Sequence, residues 1–373
     1  MMIKRFVALA LILIAPTVHA QQIYETARAV RSLGMGGMYI PIVNDTDALF
    51  YNPAALAKVK GFNFTVPSVA AGINSDSISS LDTLKNFDSS NPSSYNSLYG
   101  KRFDVEAAGK AAFAMPYFGF GYYTNYNASV ELHDPANPQF DSFFQNDQGY
   151  VIGGAVPLGP NIYGGLNVKR ISRWGGTEQQ LGLAEVSSGM SLDKLESYYQ
   201  NKGTGYGLDL ALMTEIQAPL TPTIAVVWQD VGDTSFTKTA GTDAPPHIEQ
   251  NISAGLGVGF DIPGIDWTAG AEFRQLNQND IQFGKKLHIG TELSIPLFDF
   301  RAGIDQGYFT YGAGFNFLIF RVDAASYTEE LGVYPGQTAE NRYAVSVSID
   351  LSFDADFHFT DNEGKRRKLK QRR

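Results

Sequence analysis

Apolar and polar residues alternate near the end of the chain. From Tyr343 to Phe359 every odd position is apolar or aromatic, and most even positions are polar. A period of two predicts a β-strand with one apolar and one polar face. At roughly 3.3 Å per residue such a strand spans about 56 Å, whereas a tilted membrane crossing needs only ~9–11 residues. We expect a barrel wall strand that extends beyond the bilayer, pairs with the first strand near Phe62, and turns its polar row (Ser346, Ser348, Asp350 and Ser352) inward.

Similar runs recur along the chain, separated alternately by tight turns, most of them marked by Pro, and by longer polar connections. Short turns on one side and long loops on the other are typical of bacterial outer-membrane barrels. The sequence therefore predicts an all-β fold, a 14-stranded antiparallel transmembrane β-barrel over residues 61–360. Its strands are expected to start near Phe62, Val105, Tyr117, Tyr150, Ile162, Thr204, Thr223, Ile252, Trp267, Leu287, Phe298, Phe309, Phe320 and Tyr343.

An even strand count places both termini on the short-turn side, which would be the periplasm of a Gram-negative cell. The long connections are expected at residues 74–103, 133–148, 174–202, 232–249, 275–285 and 329–342. A soluble β-sandwich is an alternative, but its strands typically hold only ~5–6 residues and rarely sustain such alternation.

The N-terminus reads as a secretion signal. Lys4 and Arg5 precede the apolar run Phe6 to Ala15, and Val18 and Ala20 supply small residues before a cleavage point. This predicts a signal peptide over residues 1–20 with Gln21 as the first mature residue. A membrane anchor is the alternative, but the run is too short to span a bilayer. The chain has no Cys, which excludes disulfides and thiolate metal sites.

Charge is unevenly distributed. The formal net charge is −9, but residues 365–373 hold seven basic residues and the signal holds two, so the remainder carries −18. An acidic body argues against nucleic-acid binding. Residues 361–373 are expected to form a basic periplasmic tail.

No catalytic or metal site is predicted, and no cofactor is expected. His133, His247, His288 and His358 show no metal-ligand spacing, and the sequence has no G-x-S-x-G nucleophile motif. Because outer-membrane enzymes with barrel folds exist, an enzyme remains an open alternative.

Residues 21–60, before the first strand, do not show alternation. A glycine-rich stretch, Gly34, Gly36 and Gly37, is followed by Asn52 and Pro53, which suit a helix N-cap and first helical position. The glycines lack the spacing of a dinucleotide fingerprint. They favour a tight backbone path in a packed plug.

The string LGMGGMYIPIVNDTDALFYNPAAL resembles the N-terminal hatch of the FadL family of long-chain fatty acid and hydrocarbon transporters, and equally that of the PorV-type outer-membrane proteins. The resemblance implies a monomeric barrel plugged by its N-terminal hatch, with a hydrophobic small molecule as ligand. It implies that Asn52, Pro53 and Ala54, with Gly34, Gly36 and Gly37, belong to the gating element. The chain departs from the family in its loops and in continuing beyond Phe359.

Two further roles stay open beside uptake of fatty acid or hydrocarbon. A PorV-like protein would be a scaffold for secreted proteins, and an open diffusion porin would lack the plug. Partners expected in every case are outer-membrane lipid and lipopolysaccharide.

Aromatic residues in or near the long loops are candidates for an apolar-ligand groove, because affinity for a lipid tail comes from buried apolar area. These residues are Phe143, Phe144, Trp174, Tyr198 and Tyr199. Interfacial girdle or loop packing is the alternative. Residues 191–200 are expected to form a short loop helix capped by Ser191.

Two rows of glycines, Gly203, Gly205 and Gly207 and then Gly255, Gly257 and Gly259, favour close approach of the hatch backbone or a weak point in the wall. Relief of a crowded barrel interior is an equal alternative.

Overall fold

The computed structural model describes residues 28–88, 91–133, 139–182 and 197–353. The predicted signal peptide (1–20), the tail (361–373) and residues 191–196 of the expected loop helix lie outside the described residues. Fifteen strands form one sheet in which all pairings are antiparallel.

The strands, in chain order, are β1 (Phe62–Asn74), β2 (Arg102–Met115), β3 (Phe118–His133), β4 (Gln139–Gly159), β5 (Ile162–Gly182), β6 (Lys202–Glu215), β7 (Thr223–Gln229), β8 (Phe236–Ala240), β9 (Asn251–Ile262), β10 (Ile265–Phe273), β11 (Leu287–Ser294), β12 (Phe298–Asp305), β13 (Tyr308–Phe317), β14 (Phe320–Glu330) and β15 (Ala339–Phe353).

The helices are short and lie before the first strand or in the connections between strands. The α-helices are Val30–Gly34, Ala48–Tyr51, Ser75–Ser79, Leu81–Lys85 and Phe283–Lys286, and the 3₁₀ helices are Pro53–Lys58 and Pro92–Ser97. Within the described residues, no helix is both long and apolar enough to cross a membrane.

The sheet closes into a ring of fourteen strands. Each strand pairs with its neighbours in sequence, except that β7 pairs with β9 and the last strand, β15, pairs with β1. The predicted closing pair is confirmed, with Phe62 opposite Phe353 and Ile73 opposite Tyr343. The remaining strand, β8, lies in the loop between β7 and β9 and pairs with the end of β6.

The predicted strand starts agree with the observed ones to within four residues, with one exception. β4 begins at Gln139 rather than near Tyr150, and β5 continues to Gly182, so much of two predicted loops is strand. Residues 139–149 lack apolar alternation. They are strand because their backbones pair with the equally extended β3 and β5. The β7–β9 loop also contains β8, which the sequence did not predict.

Alternation sorts the wall side chains into two sets. On β15, Val345 and Val347 are each 49% exposed, whereas Ala344, which points to the opposite face, is buried. On β13, Phe309 is 82% exposed while Thr310 is buried. An outward apolar face on a closed barrel is the surface of a protein that stands in lipid.

The long loop after β14 is organised by one carboxylate. Both oxygens of Glu330 accept hydrogen bonds, from the Tyr308 hydroxyl and from the backbone N–H groups of Gly332, Gly336, Gln337 and Thr338. The outward face of β14 is apolar up to Ala324 and polar from Ser326 onward, so this loop lies beyond the apolar band. Glu330 thus fixes a loop in water.

We expect this loop to loosen in acid. Burial raises the pKa of Glu330, but the donated hydrogen bonds outweigh it and hold the pKa below that of an ordinary glutamate. The ionised carboxylate therefore stabilises the loop fully at pH values above its pKa in the unfolded chain, about 4.3. This contribution is lost as the pH falls through the lower pKa of the folded state. NMR shifts of the Gly332 and Gly336 amides should titrate below pH 4.3, with Glu330→Gln as the control that does not titrate. A midpoint at or above 4.3 would contradict the assignment.

Candidate functional site

Residues 28–60, here called the N-terminal segment, pack against inward-facing side chains around the ring. The segment bonds to Lys110 of β2, Asn167 of β5, Glu272 of β10, Glu292 of β11 and Thr310 of β13. Strands on opposite sides of a closed barrel share contacts only through its interior. The segment therefore lies within the ring of wall strands.

Asn52 is fully buried and holds two parts of the N-terminal segment together. Its amide nitrogen donates to the Ile40 carbonyl at 3.0 Å, and its Oδ1 accepts from the Ala54 backbone N–H at 3.1 Å. The predicted cap is confirmed, although Pro53 begins a 3₁₀ helix. Truncating Asn52 would leave a buried carbonyl and a buried N–H without partners, which typically costs about 1–3 kcal/mol each.

The stretch Gly34 to Gly37 lies directly against three wall strands. Gly36 and Gly37 have φ values of +66° and +79°, a conformation that glycine adopts without strain. A Cβ on Gly36 would come within 2.5 Å of the Ile289 and Ile304 carbonyl oxygens, and one on Gly34 within 3.0 Å of the Gly312 Cα. These glycines permit backbone-to-backbone packing between segment and wall.

Glycines of the wall strands also lie directly against the backbone of the N-terminal segment. A Cβ on Gly165 of β5 would lie 2.1 Å from the Ala54 nitrogen and 2.4 Å from the Pro53 carbonyl carbon. Likewise, a Cβ on Gly290 of β11 would lie 2.1 Å from the Met35 oxygen. The sequence-predicted residues Pro53 and Ala54 thus dock where the wall has no side chain.

One predicted glycine row meets the N-terminal segment and the other does not. Gly255 and Gly257 of β9 face Pro41 and Ile42, as expected for close approach of the segment, whereas Gly259 faces Trp267 and Thr268 of β10. Gly203, Gly205 and Gly207 of β6 instead face residues of the loop between β7 and β9. The predicted approach of the hatch was wrong for β6, because that loop folds back over the strand's inward face.

One side of the lumen is ionic. Arg31 of the segment forms two bonds to Glu292, at 2.8 and 3.0 Å, and the same carboxylate accepts from Arg301 at 2.6 Å. Arg301 also pairs with Asp299 and Asp323. Each of these buried charges has opposite charges beside it, so the network on this side is paired throughout.

A second carboxylate holds the segment's backbone on the same side. Glu272 of β10 accepts hydrogen bonds from the Tyr39 and Ile40 backbone N–H groups, both at 2.9 Å. Arg274 pairs with Glu272 and donates to the Gly37 carbonyl. These charge-assisted bonds are among the stronger hydrogen bonds in proteins, so the segment is firmly held along β10 and β11.

The opposite side of the lumen is apolar. Segment residues including Ile40, Val43, Leu49 and Leu56 form one buried cluster with small and apolar wall side chains. The wall contributes Ala112, Ala114, Tyr123, Val151, Ala155, Met213, Ala225 and Val227. The central hydrogen bonds here are neutral, such as Asn167 to the Leu49 carbonyl at 2.6 Å and Gln229 to the Phe50 carbonyl at 3.1 Å. Ion pairs lie at the two edges of this side, Asp47 with Lys110 of β2 and Lys58 with Glu215 of β6.

The loop between β7 and β9, residues 230–250, is pinned to the inward face of β5. Arg173 forms a bidentate pair with Asp147 at 2.7 and 2.8 Å, donates to the Pro246 carbonyl at 2.9 Å, and lies 4.8 Å above the Phe236 ring. Lys169 pairs with Asp209 at 2.8 Å and with Asp230 at 2.9 Å. Two wall cations thus fasten this loop over part of the lumen.

We expect Arg173→Met to release the 230–250 loop. The substitution removes the loop's hydrogen bond and ring contact and leaves the buried Asp147 carboxylate without its cation, a change that typically costs about 3–5 kcal/mol. Hydrogen exchange over residues 230–250 should accelerate at least about tenfold. Arg170→Gln, an exposed arginine on the same strand, is the matched control. Equal exchange in both variants would contradict the pinning role.

The structure brings together three of the five aromatic residues proposed for ligand binding. Phe144 contacts Trp174 and Tyr199, with ring centroids 4.8 and 5.5 Å apart. Tyr198 packs instead with a separate loop cluster around Tyr95. On β5, Trp174 has the same parity as the exposed Val168, so this cluster lies on the outward side of the wall. Phe143 has the opposite parity and is buried. A ligand role for these residues stays a prediction.

A polar cleft lies beside the start of the N-terminal segment. It is small and partly open to solvent, and its lining includes Arg28, Ser32, Arg274, His288, Asp305 and Glu329. His288 Nδ1 is 3.0 Å from both the Gly36 carbonyl and Asp305. Within the described ranges, no group of three or more His, Asp or Glu side chains is arranged to hold a metal ion.

Sequence reasoning missed the wall glycines that contact the N-terminal segment on β5, β11 and β12. Gly165, Gly290 and Gly303 face inward by strand parity, and parity could have marked them as points of close approach. Arg31 carried no signal, because it lies in a short helix whose apolar neighbours suggest only packing.

Known proteins resemble this chain in fold rather than in sequence. No protein-family model matches it, and no curated protein does. Among solved structures, the monoaromatic hydrocarbon channel CymD aligns with a TM-score of 0.53 and 12% identity, covering 87% of this chain and 97% of CymD. The P. putida toluene transporter TodX aligns at 0.51 and 12%, covering 87% and 98%. The Ralstonia pickettii toluene transporter TbuX aligns at 0.50 and 14%, covering 88% and 98%. The chain therefore has the barrel fold of these hydrocarbon channels, as its own strand pattern and its resemblance over residues 33–56 predicted.

Proposed function

We propose that this protein carries hydrophobic small molecules, such as hydrocarbons or long-chain fatty acids, across the outer membrane of a Gram-negative cell. In this proposal it works as a monomer, with its long loops outside and both termini in the periplasm. The N-terminal segment is the plug. The similar channels transport toluene or conduct monoaromatic hydrocarbons, which supports this class of ligand.

The two-sided lumen is the observation that carries the proposal. On the ionic side, Arg31, Glu272 and Glu292 hold the N-terminal segment by charge-assisted bonds. On the apolar side, the segment meets β3–β5 through apolar contacts and a neutral hydrogen bond, and its ion pairs lie at the edges of this region, Asp47 with Lys110 of β2 and Lys58 with Glu215 of β6. An apolar ligand can replace the contacts with β3–β5 without leaving a buried charge unpaired, because none of the groups that meet there is charged. A water-filled porin, by contrast, has a polar lumen wall.

In this mechanism the ionic side acts as the fixed side and the apolar side yields. Asn52, Pro53 and Ala54 lie where the segment meets β5, so they would move first. Gly34, Gly36 and Gly37 lie against β11–β13 and would remain in place.

Uptake measurements test the function. Cells that lack the gene, with and without a plasmid copy, should be given labelled toluene and labelled oleate. Faster initial uptake of at least one ligand in the complemented cells is the expected result. Equal rates for both ligands and a wider apolar panel would overturn the proposal, and a secreted protein co-purifying with the barrel would then favour the scaffold role.

A reversible disulfide tests whether the fixed side of the plug stays in place. The chain has no Cys, and an ideal Cβ on Gly257 lies 3.2 Å from the Pro41 Cβ, close to the ~3.5–4.5 Å of disulfides. Oxidation of the Pro41→Cys/Gly257→Cys variant should leave uptake unchanged, because Pro41 follows Ile40, whose backbone N–H is bonded to Glu272 on the fixed side. Pro41→Cys alone, with the same oxidant, is the control. Uptake that stops on oxidation and returns on reduction would show that the plug must leave β9 and would contradict a fixed ionic side.

A further inference from the structure

Four directly paired residues form a row across the outward face of β3–β6. Tyr122 is opposite Tyr150, Tyr150 is opposite Arg170, and Arg170 is opposite Tyr206. Tyr206 is 71% exposed, Tyr150 is 49% exposed, and Arg170 is also exposed. The row therefore places an exposed guanidinium between two exposed tyrosine rings.

The rows on either side show where the row lies relative to lipid. The next row toward the short turns is apolar, formed by Phe120, Ile152, Val168 and Leu208. The next row toward the long loops is polar and uncharged, formed by Thr124, Gln148, Ser172 and Thr204. Arg170 is the ninth residue of β5, and a crossing takes about 9–11 residues. The boundary between acyl chains and headgroups thus passes close to Arg170.

Charge on this face is sparse and of one sign. The outward positions within residues 118–132, 146–158, 162–174 and 202–214 include two charged side chains, Arg170 and Lys202. Within the part of the chain that the structure describes, the Arg170 side chain has no ion pair or hydrogen bond. Lys202 lies 4.5 Å above the Trp174 ring. Because Trp174 is four residues beyond Arg170 on β5, the two cations lie roughly 13 Å apart along the strand direction.

We propose that Arg170 and Lys202 bind a phosphorylated glycolipid of the outer leaflet. A guanidinium matches a phosphate bidentately, and at the edge of the apolar band Arg170 meets the depth of a lipid phosphate. Lys202, further out, meets a second anionic group on the sugar. Tyr150 and Tyr206 cover the junction of sugar and acyl chain, as interfacial aromatic residues do. Cations at two depths select a glycolipid with anionic groups at two depths over a phospholipid with one. The inference rests on the proposed orientation, with the long loops outside.

Lipid retention by the purified full-length barrel tests the site. Wild type, Arg170→Gln, Lys202→Gln and the exposed loop control Lys85→Gln should each be incubated with lipopolysaccharide, dephosphorylated lipopolysaccharide or phosphatidylglycerol. Bound lipid is then measured by native mass spectrometry. Arg170→Gln should retain at least about tenfold less lipopolysaccharide than wild type. Lys202→Gln should show a smaller loss, and Lys85→Gln should match wild type.

Two results would overturn the inference. One is unchanged retention by Arg170→Gln, and the other is equal retention of dephosphorylated lipopolysaccharide. Retention of phosphatidylglycerol that equals that of lipopolysaccharide and depends on Arg170 would replace the glycolipid with a phospholipid and so contradict the proposal. Hydrocarbon uptake by cells that express the same variants separates this proposal from the transport function. If uptake fails while lipopolysaccharide retention still depends on Arg170, the transport function falls and the lipid site stands.

Discussion

Gly165→Ala should undock the plug from β5. The new Cβ would lie 2.1 Å from the Ala54 nitrogen and 2.4 Å from the Pro53 carbonyl carbon. Both atoms belong to the backbone, so no rotamer change relieves the overlap, and the segment around Asn52 must shift. Overpacking of this kind typically costs about 1–3 kcal/mol. We expect the variant to conduct ions in planar bilayers, because a displaced plug admits water and ions to the lumen.

The matched control is Gly154→Ala on the neighbouring strand. A Cβ there meets its nearest atom, the Tyr117 oxygen, at 3.6 Å, an ordinary contact. This variant should stay closed and unfold at the wild-type temperature. If Gly165→Ala conducts no more than Gly154→Ala does, the plug is not held where Pro53 and Ala54 meet the wall.

Glu292→Gln should destabilise the barrel more than any loop substitution. This carboxylate is fully buried and accepts from both Arg31 and Arg301. A neutral amide at this position removes the anion that the buried guanidinium groups of Arg31 and Arg301 share. Breaking a buried ion network by removing one member typically costs about 3–5 kcal/mol. Denaturant unfolding of the purified barrel should show this loss, and Glu178→Gln, at an exposed position, should show none.

A double-mutant cycle separates the plug's share of this loss. Arg31→Met removes the segment's cation and leaves Glu292 paired with Arg301. Combined with Glu292→Gln, it should cost less than the two single changes added together, with a coupling of about 1.5–3 kcal/mol. Additive costs would mean that Glu292 stabilises the wall alone.

The strand pattern was readable from the sequence because it is local. Alternation along β15, and Pro or Gly at most turns, fixed the strand starts without knowledge of any partner strand. The exception, β4, shows the limit. Residues 139–149 are strand because β3 and β5 extend beside them, and no local pattern reports the length of a neighbour.

The candidate site was only partly readable. The resemblance over residues 33–56 led to Asn52, Pro53 and Ala54, and Asn52 is a buried cap as its sequence context predicted. Strand parity would also have placed Trp174 outward with Val168. Trp174 was instead predicted to line a groove because the sequence placed it in a loop rather than on an extended strand.

By itself the sequence determined the barrel class, most strand starts, the inward polar row of the last strand and the glycines of the N-terminal segment. Each of these follows from short-range periodicity or from backbone conformations that single residues permit. Only the tertiary structure decided which wall glycines meet the N-terminal segment, that the 230–250 loop covers β6, and that the lumen has an ionic and an apolar side. Those features depend on which strands closure of the barrel brings face to face across the interior. Residues as distant as Arg31 and Glu292 become partners there, and no spacing along the chain encodes that distance.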